Sequence, residues 1–160
     1  MNNPKIDKTE IKLLHSLQDN CRRGLQDIAD SVGSSASSLW RRLKNLEQTG
    51  IIERYSIFIN HRKLGIKETV FVRVRLDKHQ DEYIEKFTTL VKNSECILEC
   101  YATSGEFDYL LKIIAVDIRQ FHRFLKNTIL KQDYISHTNT LITLDILKEN
   151  TPISLDILDM

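Results

Sequence analysis

Proline and glycine are scarce in this sequence, with two and five residues respectively among 160. This composition excludes collagen-like and low-complexity chains, while 41% hydrophobic and 28% charged residues are typical of a folded globular protein. No apolar run approaches the roughly 20 residues that a membrane-spanning helix requires, and the opening residues lack the apolar stretch of a signal peptide. We therefore expect a cytoplasmic protein with no membrane partner.

Cysteine is also rare, and Cys21, Cys96 and Cys100 do not follow the paired spacing of structural zinc sites. The five histidines are scattered along the chain without ligand spacing. We therefore expect free thiols in a reducing compartment, no bound metal and no cofactor. The histidines are His15, His61, His79, His122 and His137.

The charge is unevenly distributed, although its sum is only +1. Residues 1–62 contain ten lysines and arginines against seven acids, and residues 63–160 contain thirteen against fifteen. The basic surplus lies where a phosphate-binding module would need it. The length accommodates two small domains, and the patterns below predict a first domain at 1–62, a linker at 63–68, a second domain at 69–149 and a tail at 150–160.

Three short helices are predicted in the first domain. Apolar residues recur at helical spacing from Ile11 to Leu17, from Leu25 to Val32 and from Leu39 to Leu46. Gly33 is expected to end the second helix in a left-handed conformation, and the two serines after it to accept hydrogen bonds at the start of the third. Two short helices joined by a glycine turn predict a helix-turn-helix.

The third helix is expected to present a polar face, free of acidic residues, opposite its leucines. Arg and Lys bond guanine or phosphate, Asn pairs with adenine, and Ser bonds either. An ordinary solvated helix face has a similar pattern, but Trp40 favours the binding interpretation because a large aromatic beside arginines at the edge of a helix is unusual unless it packs or touches a ligand. The residues expected to contact DNA are Ser35, Ser37, Ser38, Trp40, Arg41, Arg42, Lys44 and Asn45.

A strand at 51–59, interpreted as a minimal wing or a connecting strand, is predicted after the third helix. From Thr69 apolar and polar residues alternate, which predicts a half-buried strand. A helix, strands at 97–103 and 107–115 joined by a glycine turn, a second helix and a last strand at 138–147 follow. The chain is thus predicted to be α+β, a winged helix-turn-helix domain followed by a ferredoxin-like βαββαβ domain.

In this arrangement two helices cover one face of the antiparallel sheet. The other face would carry Phe71 and either Leu110 or Leu111, and so would expose apolar surface in a monomer. We therefore expect the sheets of two subunits to pair.

Three stretches resemble the Lrp/AsnC (leucine-responsive, feast/famine) family of bacterial and archaeal regulators. They are the opening Ile6-Asp7-Lys8, the helix-turn-helix segment from Ile28 to Gly33 with the leucines after it, and the hairpin from Ser104 to Lys112. The likeness runs over nearly the whole chain. Two positions depart from it, since Ser34 stands where the family often has Leu and Gly24 where a stronger N-cap is common.

The resemblance implies a double-stranded DNA partner and a homodimer that assembles further, up to an octamer. It also implies an amino-acid effector at subunit interfaces. There the Asp108 carboxylate could meet the effector's ammonium group, and backbone N–H groups at Gly105 could meet its carboxylate. Without the resemblance to this family, Asp108 would be interpreted as a turn residue, and Thr138 and Thr140 as ordinary strand residues. The effector-binding residues implied are Thr103, Ser104, Gly105, Phe107, Asp108, Thr138 and Thr140.

Two other functions fit the same pattern. An architectural DNA-binding protein would need no effector. A siroheme-decarboxylase-like enzyme would share both domains, but no nucleophile, metal pair or acid/base pair stands out in the sequence. We therefore expect a transcriptional regulator without catalytic activity.

Overall fold

The computed structural model describes residues 6–78 and 80–155, so His79 and the end of the expected tail lie outside the described residues. The chain divides into two compact units. One comprises the chain up to Phe58 together with the chain from Lys148 onward, and the other runs from Ile59 to Leu147. Each unit has a hydrophobic core of its own.

The first helix, α1 (Lys8–Asp19), begins with a complete capping box. The Asp7 carboxylate accepts hydrogen bonds from the backbone N–H groups of Thr9 and Glu10, and the Glu10 carboxylate accepts one from the N–H of Asp7. These contacts satisfy N–H groups that have no partner inside the helix. The acid at the third helical position thus fixes where α1 starts.

Two further helices form the predicted helix-turn-helix. α2 (Leu25–Val32) ends at Gly33, whose φ of 70° is the left-handed conformation that glycine adopts at low cost. α3 (Ala36–Gln48) begins at Ser35, whose hydroxyl accepts a hydrogen bond from the N–H of Ser38 at 3.2 Å. The prediction of a helix-turn-helix at these positions is confirmed.

The core of the first unit joins all three helices. Leu155, from the C-terminal segment, packs against it. Beside this contact, Gln18 of α1 donates to the carbonyl of Ile153 at 3.2 Å and accepts from its N–H at 2.8 Å. The C-terminal segment is therefore part of the helix-turn-helix unit. The buried core residues are Leu13, Leu14, Ile28, Ala29, Leu39, Leu43 and Leu46.

Residues 51–60 form no strand, so the strand predicted at 51–59 is wrong. Alternating apolar residues specify an extended chain, but a strand also needs a hydrogen-bonded neighbour, and the four-stranded sheet includes none of these residues. Ile51 and Ile52 pack against the helical core, but from Tyr55 onward the large apolar side chains are exposed, from 51% at Tyr55 to 79% at Phe58. A 3-10 turn at His61–Leu64 follows.

The second unit has the predicted βαββαβ order. The elements are β1 (Glu68–Leu76), α4 (Asp81–Lys92), β2 (Ile97–Ala102), β3 (Tyr109–Ala115), α5 (Ile118–Phe124) and β4 (Ile135–Ile142). α5 continues into a π-helical segment at Leu125–Ile129. The strands are antiparallel and lie in the order β2-β3-β1-β4, so the predicted α+β class and ferredoxin-like arrangement are confirmed.

The last strand lies earlier in the chain than predicted, and its expected extension to residue 147 is wrong. The N–H and the hydroxyl of Thr143 both donate to the Thr69 carbonyl, at 3.2 and 2.6 Å. Thr69 lies at the start of β1, the strand that pairs with β4. Residues beyond Thr143 therefore have no strand to pair with, and Leu144 and Leu147 are 100% and 94% exposed.

The helices cover one face of the sheet, and β1 points four fully buried residues, Val70, Val72, Val74 and Leu76, towards them. Burying one such side chain stabilises the fold by about 1.5–3 kcal/mol. Leu111 and Ile113 of β3 share this core, which settles the alternative left open by the sequence, because Leu111 is buried. Also buried there are Phe87, Ala115, Phe121, Ile129 and Tyr134.

The opposite side of the sheet, here called the open face, carries the alternate residues. Directly opposed residues of antiparallel strands project to the same side. Phe71 pairs with Lys112 and Leu141, and Arg73 pairs with Leu110 and Asn139. Large side chains stand exposed on this face, with Leu141 at 47% and Tyr101 at 52%.

Candidate DNA interface and effector site

The exposed face of α3 carries most of the residues expected to contact DNA. Its leucines point into the core, so Ser37, Arg41 and Asn45 stand in solvent one turn apart. Trp40 is 52% exposed beside them. Arg41 has no carboxylate partner among the described residues, and its guanidinium can therefore bond a base or a phosphate.

Arg42 has a structural contact. Its guanidinium forms an ion pair with the Asp7 carboxylate and lies 3.7 Å from that of Glu10, so it ties α3 to the start of α1. The Asp7 pKa is lowered, first by the backbone hydrogen bond from Glu10 and also by Arg42. Because two carboxylates already neutralise it, Arg42 is less available to DNA than Arg41.

Lys44 is also paired, with an acid that lies at the margin of the polar face rather than on it. Its ammonium lies 2.8 Å from a Glu47 carboxylate oxygen and 4.6 Å from the centre of the Trp40 ring. The other Glu47 oxygen accepts a hydrogen bond from the Tyr55 hydroxyl at 3.0 Å. Bonds from Lys44 and Tyr55 lower the pKa of Glu47, and burial together with Glu47 raises the pKa of Tyr55 to about 12. Glu47 follows Lys44 by three residues, a spacing at which side chains of a helix meet, but this pair was not predicted.

Ser35 and Ser38 lie at the N-terminus of α3. Besides capping the helix, the Ser35 hydroxyl lies 3.2 Å from that of Ser37. A helix N-terminus presents free N–H groups that favour an anion. These serines are therefore placed to bond a phosphate rather than a base.

The hairpin between β2 and β3 brings together the second group of predicted residues. Thr103 donates its hydroxyl to the Phe107 carbonyl at 2.7 Å and its N–H to the Asp108 carbonyl at 2.8 Å. Gly105, with φ of 127°, and Ser104 are exposed at the tip. The hairpin therefore holds Thr103, Phe107 and Asp108 in fixed positions.

Asp108 serves the backbone of the sheet. One carboxylate oxygen accepts the N–H of Leu76 at 2.7 Å, and the Asp108 N–H donates to the Val74 carbonyl at 2.9 Å. The pairing of β1 with β4 shifts register between Arg75 and Leu76, and the side chain of Asp108 supplies an acceptor at that irregularity. Asp108 thus has a structural role, whether or not it also binds an effector.

Thr138 and Thr140 lie apart from the hairpin in the same chain. They pair with Val74 and Val72, so β1 separates them from β3 by two strand spacings, about 10 Å. They also project to the helix-covered side of the sheet, as Val72 and Val74 do. In one chain Thr138 and Thr140 therefore face the helices, on the other side of the sheet from Arg73.

The sequence reasoning missed a cluster beside Phe107. The guanidinium of Arg73 stacks on the Phe107 ring, 4.5 Å from its centre, and donates to the Asn139 side chain at 3.0 Å. His137 faces the same ring with centroids 5.8 Å apart. Period-two alternation does place Arg73 on the open face, but residues from three segments meet here, and no local pattern reveals that.

The fold defines a DNA-binding helix-turn-helix joined to a small α/β domain, and comparison with known families agrees. Residues 6–53 match the winged helix-turn-helix DNA-binding model, and residues 69–153 match the Lrp/AsnC ligand binding domain. The chain belongs to the Lrp/AsnC family of transcriptional regulators, as its sequence predicted.

Relatives and solved structures cover nearly the whole chain. It is 31% identical to the proline dehydrogenase transcriptional activator of Rhizobium radiobacter, over 90% of this chain and 92% of the relative. The leucine-responsive regulatory protein of Haemophilus influenzae is also 31% identical, with 92% and 89% covered. A transcriptional regulator of Neisseria meningitidis in complex with L-Met is 30% identical with a TM-score of 0.90, covering 96% of this chain and 99% of that one.

No helix among residues 6–78 and 80–155 is long and apolar enough to cross a membrane. No group of three or more His, Cys, Asp or Glu residues within these ranges could hold a metal ion.

Proposed function

We propose that this regulator reads specific DNA sequences through α3 and that an amino acid bound in its second domain alters its assembly or its DNA binding. The observation that carries the effector proposal is the Neisseria regulator, which holds L-Met in a fold shared over 96% of this chain. The exposed, unpaired Arg41 beside Ser37 and Asn45 supports the DNA proposal.

Base reading falls to the exposed residues of α3. Arg41 can bond guanine with both terminal nitrogens, and Asn45 can pair with adenine. Lys44 reaches DNA only by exchanging Glu47 for a phosphate. The position of α3 on the DNA is set by contacts to the phosphate backbone. The residues proposed for these contacts are Ser35, Ser38, Trp40 and Arg42.

The effector site is proposed to form between subunits. The hairpin residues Thr103, Ser104, Gly105 and Phe107 come from one chain, with Asp108 at their base. Because β1 lies between β3 and β4, and Thr138 and Thr140 project to the helix-covered side of the sheet, we place those threonines in a second subunit. A ligand there would touch two chains and could favour one assembly over another.

The open face is proposed to pair two subunits into a homodimer, which assembles further, up to an octamer. Its exposed Tyr101 and Leu141 support this arrangement, since contiguous apolar surface marks an interaction site. A two-fold dimer presents two copies of α3. The operator should therefore be roughly palindromic, with half-sites about one helical turn apart or a multiple of it.

We further propose that the protein acts in the cytoplasm, where bacterial DNA lies, and catalyses no reaction. The relatives in Rhizobium radiobacter and Haemophilus influenzae are named as a transcriptional activator and a regulatory protein. That naming supports regulation as the activity of this chain.

A two-stage experiment tests the proposal. Duplexes that bind the full chain are first selected from a random pool, and their affinity is measured by fluorescence anisotropy. The twenty amino acids are then screened by thermal shift, because a ligand that binds only the folded state raises the melting temperature. We expect at least one amino acid to raise it and to change DNA affinity. Selected DNA that binds equally well with every amino acid would contradict the effector proposal and leave an effector-independent DNA-binding protein.

A further inference from the structure

We propose that Arg73 is the receptor for the effector's carboxylate, at the hairpin end of the open face. This inference rests on the proposed amino-acid effector and names the group that recognises its acid end. Arg73 lies beside Phe107, a residue of the hairpin, but projects from the middle of β1.

The Arg73 guanidinium is held in one orientation. Its carbon lies 4.5 Å from the centre of the Phe107 ring, and that ring is only 7% exposed, so the stacking partner is itself fixed by packing. The side-chain amide oxygen of Asn139 (Oδ1) accepts a hydrogen bond from Arg73 Nη2 at 3.0 Å. A planar cation that is stacked on one side and bonded at one corner presents its remaining donors in a defined direction.

This cation has no anion. No ion pair joins Arg73 to a carboxylate among residues 6–78 and 80–155, and its buried Nε makes no hydrogen bond there. A partly buried charge is costly unless it is paired, and buried guanidinium donors usually have acceptors. A single chain thus holds a pre-oriented donor that has no anionic acceptor among its described residues, which is the arrangement that a carboxylate-binding site requires before its ligand arrives.

The surroundings are also cationic. Arg75, two residues along the same strand, projects from the same face and is exposed without a carboxylate partner among the described residues. It lines a shallow depression with Leu76, Asp77, Ser136 and His137, and the His137 ring faces Phe107 at 5.8 Å between centroids. Arg73 is not among these lining residues but is linked to the depression by the Phe107 ring, which it shares with His137. Asp77 in the depression supplies an acid for the effector's ammonium.

By contrast, Lys112 on the same face is already satisfied. Its ammonium lies 3.2 Å from one carboxylate oxygen of Glu99. The other oxygen of Glu99 accepts a hydrogen bond from the Tyr101 hydroxyl at 2.6 Å. Lys112 therefore offers a matched control, a cation of the same sheet face that the structure does not assign to the ligand.

The test measures binding of L-methionine and L-methioninamide to the full chain by calorimetry. The amide replaces the carboxylate with a neutral group and keeps the side chain and the ammonium. The proteins compared are wild type, Arg73→Met, Arg73→Lys and Lys112→Met. A hydrogen-bonded charge pair predicts that wild type prefers methionine over the amide by about 10- to 100-fold.

We expect Arg73→Met to lose that preference and Lys112→Met to keep it. Arg73→Lys, which retains the charge but not the planar donor pair, should fall between them and carries the test if Arg73→Met does not fold. Equal preference in wild type and both Arg73 variants would overturn the inference and leave the effector proposal intact. An Arg73→Met protein that binds methionine normally but dissociates in light scattering would also overturn it and assign Arg73 to a subunit contact. Wild type that responds to none of the twenty amino acids would overturn the effector proposal itself.

Discussion

Replacing Asp108 with alanine removes the acceptor of the Leu76 N–H, a hydrogen bond of 2.7 Å. Leu76 is 2% exposed, so water cannot readily take over as acceptor. A hydrogen bond to a charged group contributes about 1.5–3 kcal/mol, and we take the lower half of that range because Asp108 is partly exposed. The second unit should therefore lose about 1.5–2 kcal/mol of unfolding free energy.

For a unit of this size such a loss lowers the melting temperature by roughly 6–15 °C. The assay is thermal unfolding of the ligand-free full chain, followed by circular dichroism at one protein concentration. Asp108→Asn keeps a neutral oxygen acceptor and should lose about half as much. Glu106→Ala, an exposed acid of the same hairpin, is the control and should melt as wild type does.

An Asp108→Ala protein that melts together with Glu106→Ala would refute this reasoning. The hydrogen bond to Leu76 would then contribute little to stability, and the role in effector binding that the family resemblance implies would be favoured. If the predicted loss is found, Asp108→Asn becomes the variant in which to measure effector affinity, because it separates charge from the structural hydrogen bond.

Three further outcomes follow from the contacts. Asp7→Ala should cost about 1 kcal/mol by removing the N-cap of α1, measured by urea unfolding. Because the folded pKa of Asp7 is lowered, its contribution should be fully present above the unfolded value near 3.8 and vanish as pH falls through the folded value, so wild type and Asp7→Ala should converge in acid. Ending the chain after Thr151 removes the contacts of Ile153 and Leu155 and should lower the stability of the first unit by roughly 1–2 kcal/mol, whereas an unchanged unfolding curve would mean that the segment is not part of it. Phe71→Glu places a charge on the open face and should reduce the mass measured by light scattering, and a mass equal to wild type would exclude this face as the subunit contact.

The helices and the sheet could be predicted because local signals agree with the tertiary fold. Gly33 and Ser35 mark the ends of α2 and α3 by backbone chemistry that needs no distant partner. The alternation from Val70 to Leu76 identifies a strand because one face is buried. These signals were sufficient to predict the fold class and the family.

The errors concern partners rather than propensities. The apolar alternation around Ile57 and Phe58 is that of a strand, but no neighbouring strand pairs with it, and an extended sequence cannot show this. Similarly, Leu144 and Leu147 continue the apolar pattern of β4 beyond the point where β1 begins and pairing stops.

The site was only partly predictable for the same reason. Spacing along α3 identified Arg41, but it did not reveal that Arg42 binds Asp7 or that Lys44 binds Glu47. Nor could it bring Arg73 to Phe107, which lie 34 residues apart in the chain. The contacts of Arg42 and Arg73 depend on tertiary geometry, for which the sequence supplies only the residue types, whereas the pair of Lys44 and Glu47 is local to α3.

The most direct test of the central claim is the affinity of the full chain for selected and random duplexes, measured by fluorescence anisotropy for wild type, Arg41→Ala and the control Arg22→Ala, which lies in the turn before α2. If Arg41 reads a base, Arg41→Ala should lose about 1–3 kcal/mol of binding free energy on the selected duplex and much less on random DNA. Arg22→Ala should show no loss that is specific to the selected duplex. Wild-type binding should weaken steeply with salt. If Arg41→Ala binds each duplex with the same affinity as wild type, the account is contradicted, because Arg41 of α3 then does not read DNA.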